Sequence, residues 1–213
     1  MNTGADDVAV ELAVPGWFGK LACLGDFASR RLPTPFVRAC DAWLSQGLAA
    51  SRTQLGERWL DTYLTSPLWR FVWAPGVLDR AWWFGVMMPS VDNVGRYFPL
   101  LVAQPLAEPA PVASLARWYA DVSQAALETL QPGATLERFD GALQAAAQPA
   151  TSGDSAPVGG EALTMLAGDD AAQRLHGRTL WWTSRSRGGE SRLTVAMGLP
   201  KAASFGELLQ GAW

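Results

Sequence analysis

The 213-residue sequence is poor in the residue types on which most metal sites and many active sites depend. It contains one histidine and two cysteines, and only 17% of its residues are charged. A zinc site or a Ser-His-Asp triad needs several such residues in a defined arrangement, and His176 is the single histidine. Cys23 and Cys40 form no C-x-x-C motif, so we expect two reduced thiols. The sequence predicts no metal, no cofactor and no histidine-dependent catalysis.

The sequence also lacks the features of nucleic-acid binding, secretion and membrane insertion. Its formal net charge is −3, whereas nucleic-acid binders carry a basic surface. A secretory signal requires basic residues near its start, and no basic residue precedes Lys20. The longest apolar run, AWWFGVMMP, is far shorter than the roughly 20 residues that span a bilayer. We therefore expect a cytoplasmic protein that binds no nucleic acid and inserts into no membrane.

Tryptophan is present in excess, with 11 residues. Large aromatic side chains anchor cores or interfaces, and interfaces are enriched in Trp and Arg. We expect exposed members of this group to face a partner protein. The candidates are Trp17, Trp69, Trp73, Trp82 and Trp83, together with Arg30, Arg31 and Arg96.

Hydrophobic periodicity and turn residues predict an α/β domain. The predicted order is one strand, two helices, three strands, two helices, two strands and a terminal helix. The first strand lies in Gly16–Phe27 before a turn at Gly25-Asp26, Thr34 is expected to cap the first helix, and a capping box at Ser204 is expected to start the last one. Consecutive strands without helical crossovers pair antiparallel, so we predict a three-layer α-β-α sandwich around a mixed, largely antiparallel sheet. We predict a flexible tail over residues 1–15 and a single domain over 16–213, with a flexible loop near 148–160. No sequence feature specifies an oligomeric state.

The segment MMPSVDNVGRYFPL places polar side chains between two apolar runs. Ser90, Asp92 and Arg96, with Asp26 from an earlier turn, are candidates for a catalytic or phosphate-binding pocket. No G-x-S-x-G motif or P-loop surrounds them, and Ser, Asp and Gly are also the residues that build tight turns. We favour a rigid, hydrogen-bonded turn that shapes a recognition surface. The alternative is a hydrolase or phosphate-handling enzyme with a Ser/Asp/Arg pocket.

Five motifs occur together and in order: GWFGKLACLGDF, LPTPFVRACDAWL, SPLWRFVWAPG, WWFGVMMPSVDNVGRYFPL and TLWWT. They resemble the TagF family, also called ImpM, of accessory proteins of bacterial type VI secretion. The resemblance runs from about Gly16 to Leu209 and is most specific in PSVDNVGRYFPL. The sequence departs from the family pattern at Ala22 and Cys23, where Pro-Ser is usual.

The resemblance implies a cytoplasmic, non-enzymatic regulator with an α-β-α sandwich fold. Members of the family are understood to repress type VI secretion after translation, acting through a forkhead-associated (Fha) scaffold protein, which is therefore the expected partner. A small-molecule sensor that uses the same turn is a further hypothesis. The expected binding residues are Asp26, Arg30, Arg31, Trp82, Ser90, Asp92 and Arg96.

Overall fold

The computed structural model describes residues 13–109, 112–147, 160–183 and 192–213. Seven strands form one sheet. They are β1 Gly16–Gly19, β2 Ala28–Arg30, β3 Trp69–Trp73, β4 Trp82–Met88, β5 Leu100–Leu106, β6 Arg178–Thr183 and β7 Arg192–Met197.

Seven α-helices are described, with two short 3-10 turns at Gly56–Arg58 and Ala202–Ser204. The helices are α1 Thr34–Leu55, α2 Trp59–Leu64, α3 Val112–Glu128, α4 Leu136–Ala146, α5 Gly160–Thr164, α6 Ala171–Arg174 and α7 Phe205–Gln210. Within the described ranges, no helix has the length and apolar character needed to cross a membrane.

The strand order across the sheet is β2-β1-β5-β4-β3-β6-β7, and each neighbouring pair of these strands is antiparallel. The predicted α/β sandwich is confirmed. The sheet is not mixed, however, because the strands that return across it, β5 beside β1 and β6 beside β3, also run antiparallel to their neighbours. Most of the predicted tail (residues 1–12) and loop (148–159) lies outside the described residues, so those two predictions stay predictions.

The order of the elements was predicted more accurately than the residues at which they begin. The strand predicted within Gly16–Phe27, before a turn at Gly25-Asp26, is the four-residue β1, and the unpredicted strand β2 follows the turn. Thr34 was expected to cap α1, but it is the first helical residue, and Pro33 occupies the cap position. The predicted capping box at Ser204 forms no side-chain cap bond. Helices α5 and α6 were also not predicted, because four or five residues carry too little periodicity to recognise.

Each face of the sheet buries its own hydrophobic cluster. One face packs against α3, α4, α5 and α6, and the other against α1, α2 and α7. Neighbouring residues on a strand point to opposite faces, so the adjacent Trp82 and Trp83 enter different clusters. The sheet is therefore covered on both faces, as three layers require.

The tryptophans expected to face a partner lie in the core instead. Each of the five rings is at most 2% exposed, so none of these five candidates is available to face a partner. The reason is that all five lie on β1, β3 or β4, strands that are buried along their whole length. The five are Trp17, Trp69, Trp73, Trp82 and Trp83.

Gly85 tests how tightly the centre of this sheet is packed. A Cβ atom at this position of β4 would overlap the ring of Phe71 and the carbonyl oxygen of Val102. We expect Gly85→Ala to destabilise the protein by about 1–3 kcal/mol through overpacking, measured by urea denaturation. The control is Gly141→Ala in α4, where a Cβ meets nothing within 4 Å. That substitution should stabilise the helix by about 0.5–1 kcal/mol, and equal effects of the two variants would contradict this packing.

Candidate functional site

A tight turn between β4 and β5 contains most of the polar residues singled out in the sequence. Its ends pair through Val91 and Tyr97 in one antiparallel bridge. Within it, the Asp92 N–H donates to the Arg96 carbonyl and the Gly95 N–H donates to the Asp92 carbonyl, both at 3.1 Å. Gly95 has φ of +83°, a conformation that glycine adopts without steric cost. These bonds within the segment define a closed, hydrogen-bonded turn.

The Asp92 carboxylate is the centre of the turn. Its Oδ1 atom accepts hydrogen bonds from the backbone N–H groups of Arg96 at 2.8 Å and of Val94 at 3.2 Å. Its Oδ2 atom accepts from Arg96 Nε at 2.7 Å and from Lys20 Nζ at 2.5 Å. The side chain is completely buried. A buried carboxylate requires partners of this kind, because removal from water strongly disfavours an unpaired charge.

Lys20, which the sequence analysis missed, supplies the compensating charge from the end of β1. Its side chain is buried against Asp92, and its ammonium lies 4.3 Å from the ring centroid of Phe27. The backbone carbonyl of Lys20 accepts a hydrogen bond from Ser90 Oγ at 2.7 Å. Lys20 therefore holds the turn in two ways, through the ion pair with Asp92 and through the hydrogen bond from Ser90.

Ser90 acts as a structural residue at the start of the turn. Its hydroxyl is buried and donates to Lys20, so it is not free to attack a substrate. The Tyr63 hydroxyl on α2 accepts from the Ser90 N–H at 2.9 Å and donates to the Ser90 carbonyl at 2.8 Å. Burial raises the pKa of the Tyr63 hydroxyl above its ordinary range, so it stays protonated and able to do both. This pair of bonds attaches the turn to the helical layer.

A second loop, residues 21–27, is held against the turn at residues 91–97. The Asn93 N–H donates to the Leu24 carbonyl at 2.9 Å, and Arg96 Nη2 donates to the Gly25 carbonyl at 2.5 Å. Arg96 Nη2 also lies 3.6 Å from the carboxylate of Asp26 in an exposed ion pair. We call these two segments the loop pair.

The electrostatics of Asp92 follow from these contacts. Burial alone would raise the pKa of the carboxyl, but the Lys20 ammonium and the N–H donors of Arg96 and Val94 favour the ionised form more strongly. The pKa of Asp92 consequently lies well below its usual range. The carboxylate therefore stays ionised at neutral pH, as an ion pair with Lys20 requires.

Arg30 and Arg31 belong to a separate cluster at the end of β2. Arg30 Nη1 and Arg31 Nη2 contact the two carboxylate oxygens of Asp140 on α4, at 2.7 and 2.6 Å. Arg31 Nε also donates to the Pro15 carbonyl at 2.9 Å, and Arg31 has φ of +60°, which non-glycine residues rarely adopt. The Arg31 guanidinium, followed by that of Arg30, lowers the pKa of Asp140 despite its partial burial. These arginines fasten the sheet edge to α4.

The structure thus divides the predicted site residues into three groups. Asp26, Ser90, Asp92 and Arg96 do meet in one place, whereas the other three do not join them. Arg30 and Arg31 bind Asp140, and Trp82 lies in the core. In the part of the chain that the structure describes, no group of three His, Cys, Asp or Glu side chains is placed to hold a metal ion.

The exposed apolar groups of the loop pair are Phe27 and Val94, which the sequence analysis did not select. Phe27 is 46% exposed although it packs edge-on against Phe98, with ring centroids 4.7 Å apart. Val94 is 66% exposed at the tip of the turn. The position of Val94 between Asn93 and Gly95, inside a predicted turn, indicated that its side chain would face solvent.

Comparison with known proteins identifies the family. Residues 16–146 match the family described as TagF N-terminal domain, Type VI secretion system-associated, and this range is more than half of the chain. The chain belongs to the TagF family. The resemblance drawn from the sequence motifs is therefore confirmed, and it links this TagF-family chain to type VI secretion.

A solved structure supports the same assignment. The crystal structure of PA0076 from Pseudomonas aeruginosa PAO1 is 40% identical in sequence and has a TM-score of 0.73. The match covers 92% of this chain and 94% of that one, so the similarity extends over nearly the whole domain. A comparison with curated proteins finds no significant match.

The buried ion pair leads to a first prediction for the site. In Lys20→Met the Asp92 carboxylate loses its buried cation and, among the described residues, the partly exposed Arg96 guanidinium is the one cation that it still contacts. We therefore expect the melting temperature to fall by roughly 5–10 °C. The control is Arg117→Met, which removes the exposed i,i+4 pair with Asp121 and should change it by about 2 °C or less. Similar shifts for the two variants, measured by calorimetry, would contradict a central role for Lys20.

The lowered pKa of Asp92 leads to a second prediction, for pH dependence. A carboxylate whose pKa is lower in the folded protein stabilises the fold above its unfolded pKa of about 4, and this stabilisation is lost as the pH falls through the folded value. The difference in unfolding free energy between wild type and Asp92→Asn should therefore be large at neutral pH and shrink below about pH 4.

The measurement is a series of urea titrations of both proteins between neutral and strongly acidic pH. Asp121→Asn is the matched control, because its carboxylate is exposed and bonded to Arg117 alone. It should differ little from wild type throughout the series. A difference for Asp92→Asn that does not change with pH would refute the ionised, buried carboxylate.

Proposed function

We propose that this chain is a cytoplasmic, non-enzymatic regulator that represses type VI secretion after translation by binding a forkhead-associated scaffold protein. Membership of the TagF family supports the link to type VI secretion. The observation that carries the binding part of the proposal is the exposure of Phe27 and Val94 on the loop pair. Binding of this chain to the scaffold protein would keep the scaffold protein from supporting assembly of the secretion apparatus.

The loop pair has the rigidity that a binding surface needs. Side chains that are already ordered before binding lose little entropy on association, so a preorganised surface binds more tightly than a mobile one. The ion pair between Asp92 and Lys20 attaches the turn to the end of β1, and the two hydrogen bonds of Tyr63 attach it to α2. Phe27 is held by ring contacts with Phe98. Both exposed apolar side chains therefore project from a fixed frame.

The chemistry around these side chains resembles that of a protein interface. Interfaces combine an apolar centre with a polar rim, and a few central residues contribute most of the binding energy. Phe27 and Val94 provide the apolar groups, while Asp26 and Arg96 place one charge of each sign beside them. A partner that meets this surface needs an apolar patch with a mixed-charge border rather than a strongly charged one.

The burial of Ser90 and Asp92 favours binding over catalysis. A Ser/Asp/Arg hydrolase would need an accessible nucleophile, a base with a free lone pair and a pocket for the substrate. The Ser90 hydroxyl is buried and donates to the Lys20 carbonyl, and the Asp92 carboxylate already accepts four hydrogen bonds. These groups have structural partners and no access to solvent, which supports a non-enzymatic role.

The proposal predicts the effect of a single substitution at the tip of the turn. Val94→Asp should weaken binding of the purified forkhead-associated scaffold protein at least about tenfold, because it places a charge at the centre of the apolar contact. Its control is Leu127→Asp, on the exposed face of α3 and outside the loop pair, which should bind as wild type does. The measurement is isothermal titration calorimetry.

Two results would overturn the proposal. The first is the absence of binding by the wild-type chain at micromolar concentrations, which would exclude the partner. The second is equal affinity of Val94→Asp and wild type, which would exclude this surface while leaving the partner in place. Circular dichroism confirms folding of each variant, and the exposure of Val94 makes a folding defect unexpected.

A further inference from the structure

The two edges of the sheet differ in how they are protected against pairing. An edge strand exposes unpaired backbone N–H and C=O groups, and proteins usually blunt it by shortening the strand or placing charged residues or proline on it. The edge strand β2 has three residues and ends at Arg30, which is bonded to Asp140. The edge strand β7 has six residues and, from Leu193 to Met197, neither a charge nor a proline.

The apolar face of β7 continues the core to the edge of the sheet. Leu193, Val195 and Met197 alternate along the strand and share one face, and Val195 pairs with the core residue Leu180 on β6. Yet Val195 is 38% exposed and Met197 is 66% exposed. Among the described strands, β7 pairs with β6 alone. Within the described residues, the strand thus combines a backbone edge that pairs with no further strand and exposed apolar side chains.

We propose that β7 pairs with β7 of a second copy of this chain, antiparallel and about a two-fold axis perpendicular to the sheet at Val195. With such an axis, each face of one copy's sheet continues into the same face of the other copy's sheet. Odd-numbered residues of one strand therefore lie opposite odd-numbered residues of the other. Val195 then meets its own copy, and Leu193 lies opposite Met197 of the second copy. The exposed apolar side chains of each strand are covered by those of the other, which is the self-complementarity that a two-fold interface requires.

The charges of the strand agree with this register. Arg192 is the single charged residue of β7, and the two-fold axis places it opposite Gly198 rather than opposite another arginine. A shift of the pairing by one residue would place the apolar side chains of the second copy on the opposite face of the joined sheet. On that face of the first copy, Thr194 donates to the carbonyl of Trp213. Within the paired strands, the pairing therefore brings no like charges together, and it leaves the contact between Thr194 and Trp213 in place.

The pairing is independent of the proposed function and compatible with it. The loop pair adjoins β1, β4 and β5, whereas β7 ends the opposite side of the sheet. A dimer joined through β7 would carry one loop pair on each outer side. Two binding surfaces on one particle raise the effective affinity for a partner that is itself multivalent.

The test is the molar mass of the full-length chain in solution, by light scattering over micromolar to submillimolar concentrations. We expect a mass approaching twice the 22.9 kDa of the chain as the concentration rises. Val195→Lys and Val195→Glu each place like charges opposite each other at the axis, so each should be monomeric. Their mixture should recover the dimer, because opposite charges then meet. Leu127→Lys, with an exposed leucine replaced elsewhere, should dimerise as wild type does.

A second measurement needs no substitution and so covers the case in which a variant fails to fold. Hydrogen exchange of the wild-type chain is compared at high and low concentration. The amides of Leu193–Met197 should exchange faster on dilution, while those of the central strand β4 should not change. A wild-type chain that stays monomeric, a dimer that persists in both charged variants, or exchange at β7 that does not depend on concentration would each overturn the proposal.

Discussion

The buried ion pair between Lys20 and Asp92 joins the end of β1 to the turn between β4 and β5, and the geometry of the whole site depends on it. A carboxylate in this position is tolerated only because the Lys20 ammonium and three donors of the turn surround it. Once Asp92 is fixed, Arg96 is placed to hold the neighbouring loop through Gly25. Ser90 and Asp92, two of the polar residues that suggest an active site, are therefore buried structural residues. The exposed side chains of the loop pair are the apolar Phe27 and Val94, with Asp26 and Arg96 beside them.

The aromatic content of the chain follows from the same architecture. A sheet covered on both faces has no solvent-facing side on its central strands, so adjacent large residues such as Trp82 and Trp83 are both buried, in different layers. Tryptophan thus serves the core here, and the exposed apolar side chains of the loop pair are Phe27 and Val94.

The fold and the turn could largely be predicted from the sequence, because both depend on local patterns. Successive apolar runs without helical crossovers indicated antiparallel strands, and the Ser, Asp, Asn and Gly residues indicated a hydrogen-bonded turn. The role of Lys20 could not be predicted, since its partner lies 72 residues away and a lysine is usually exposed. The Arg31–Asp140 pair was missed for the same reason, with a separation of 109 residues. The number of tryptophans also did not predict whether each one is buried, or on which face of the sheet it lies. Both depend on its position along a strand and on the place of that strand in the sheet.

The central claim is that the loop pair is the surface that meets the forkhead-associated scaffold protein. Hydrogen exchange of this chain, alone and saturated with that protein, tests the claim most directly because it reports the contacted segments without any substitution. The account predicts slower exchange in residues 21–27 and 91–97 and no change in the helix Val112–Glu128. Protection confined to other segments, with the loop pair unaffected at saturation, would contradict it.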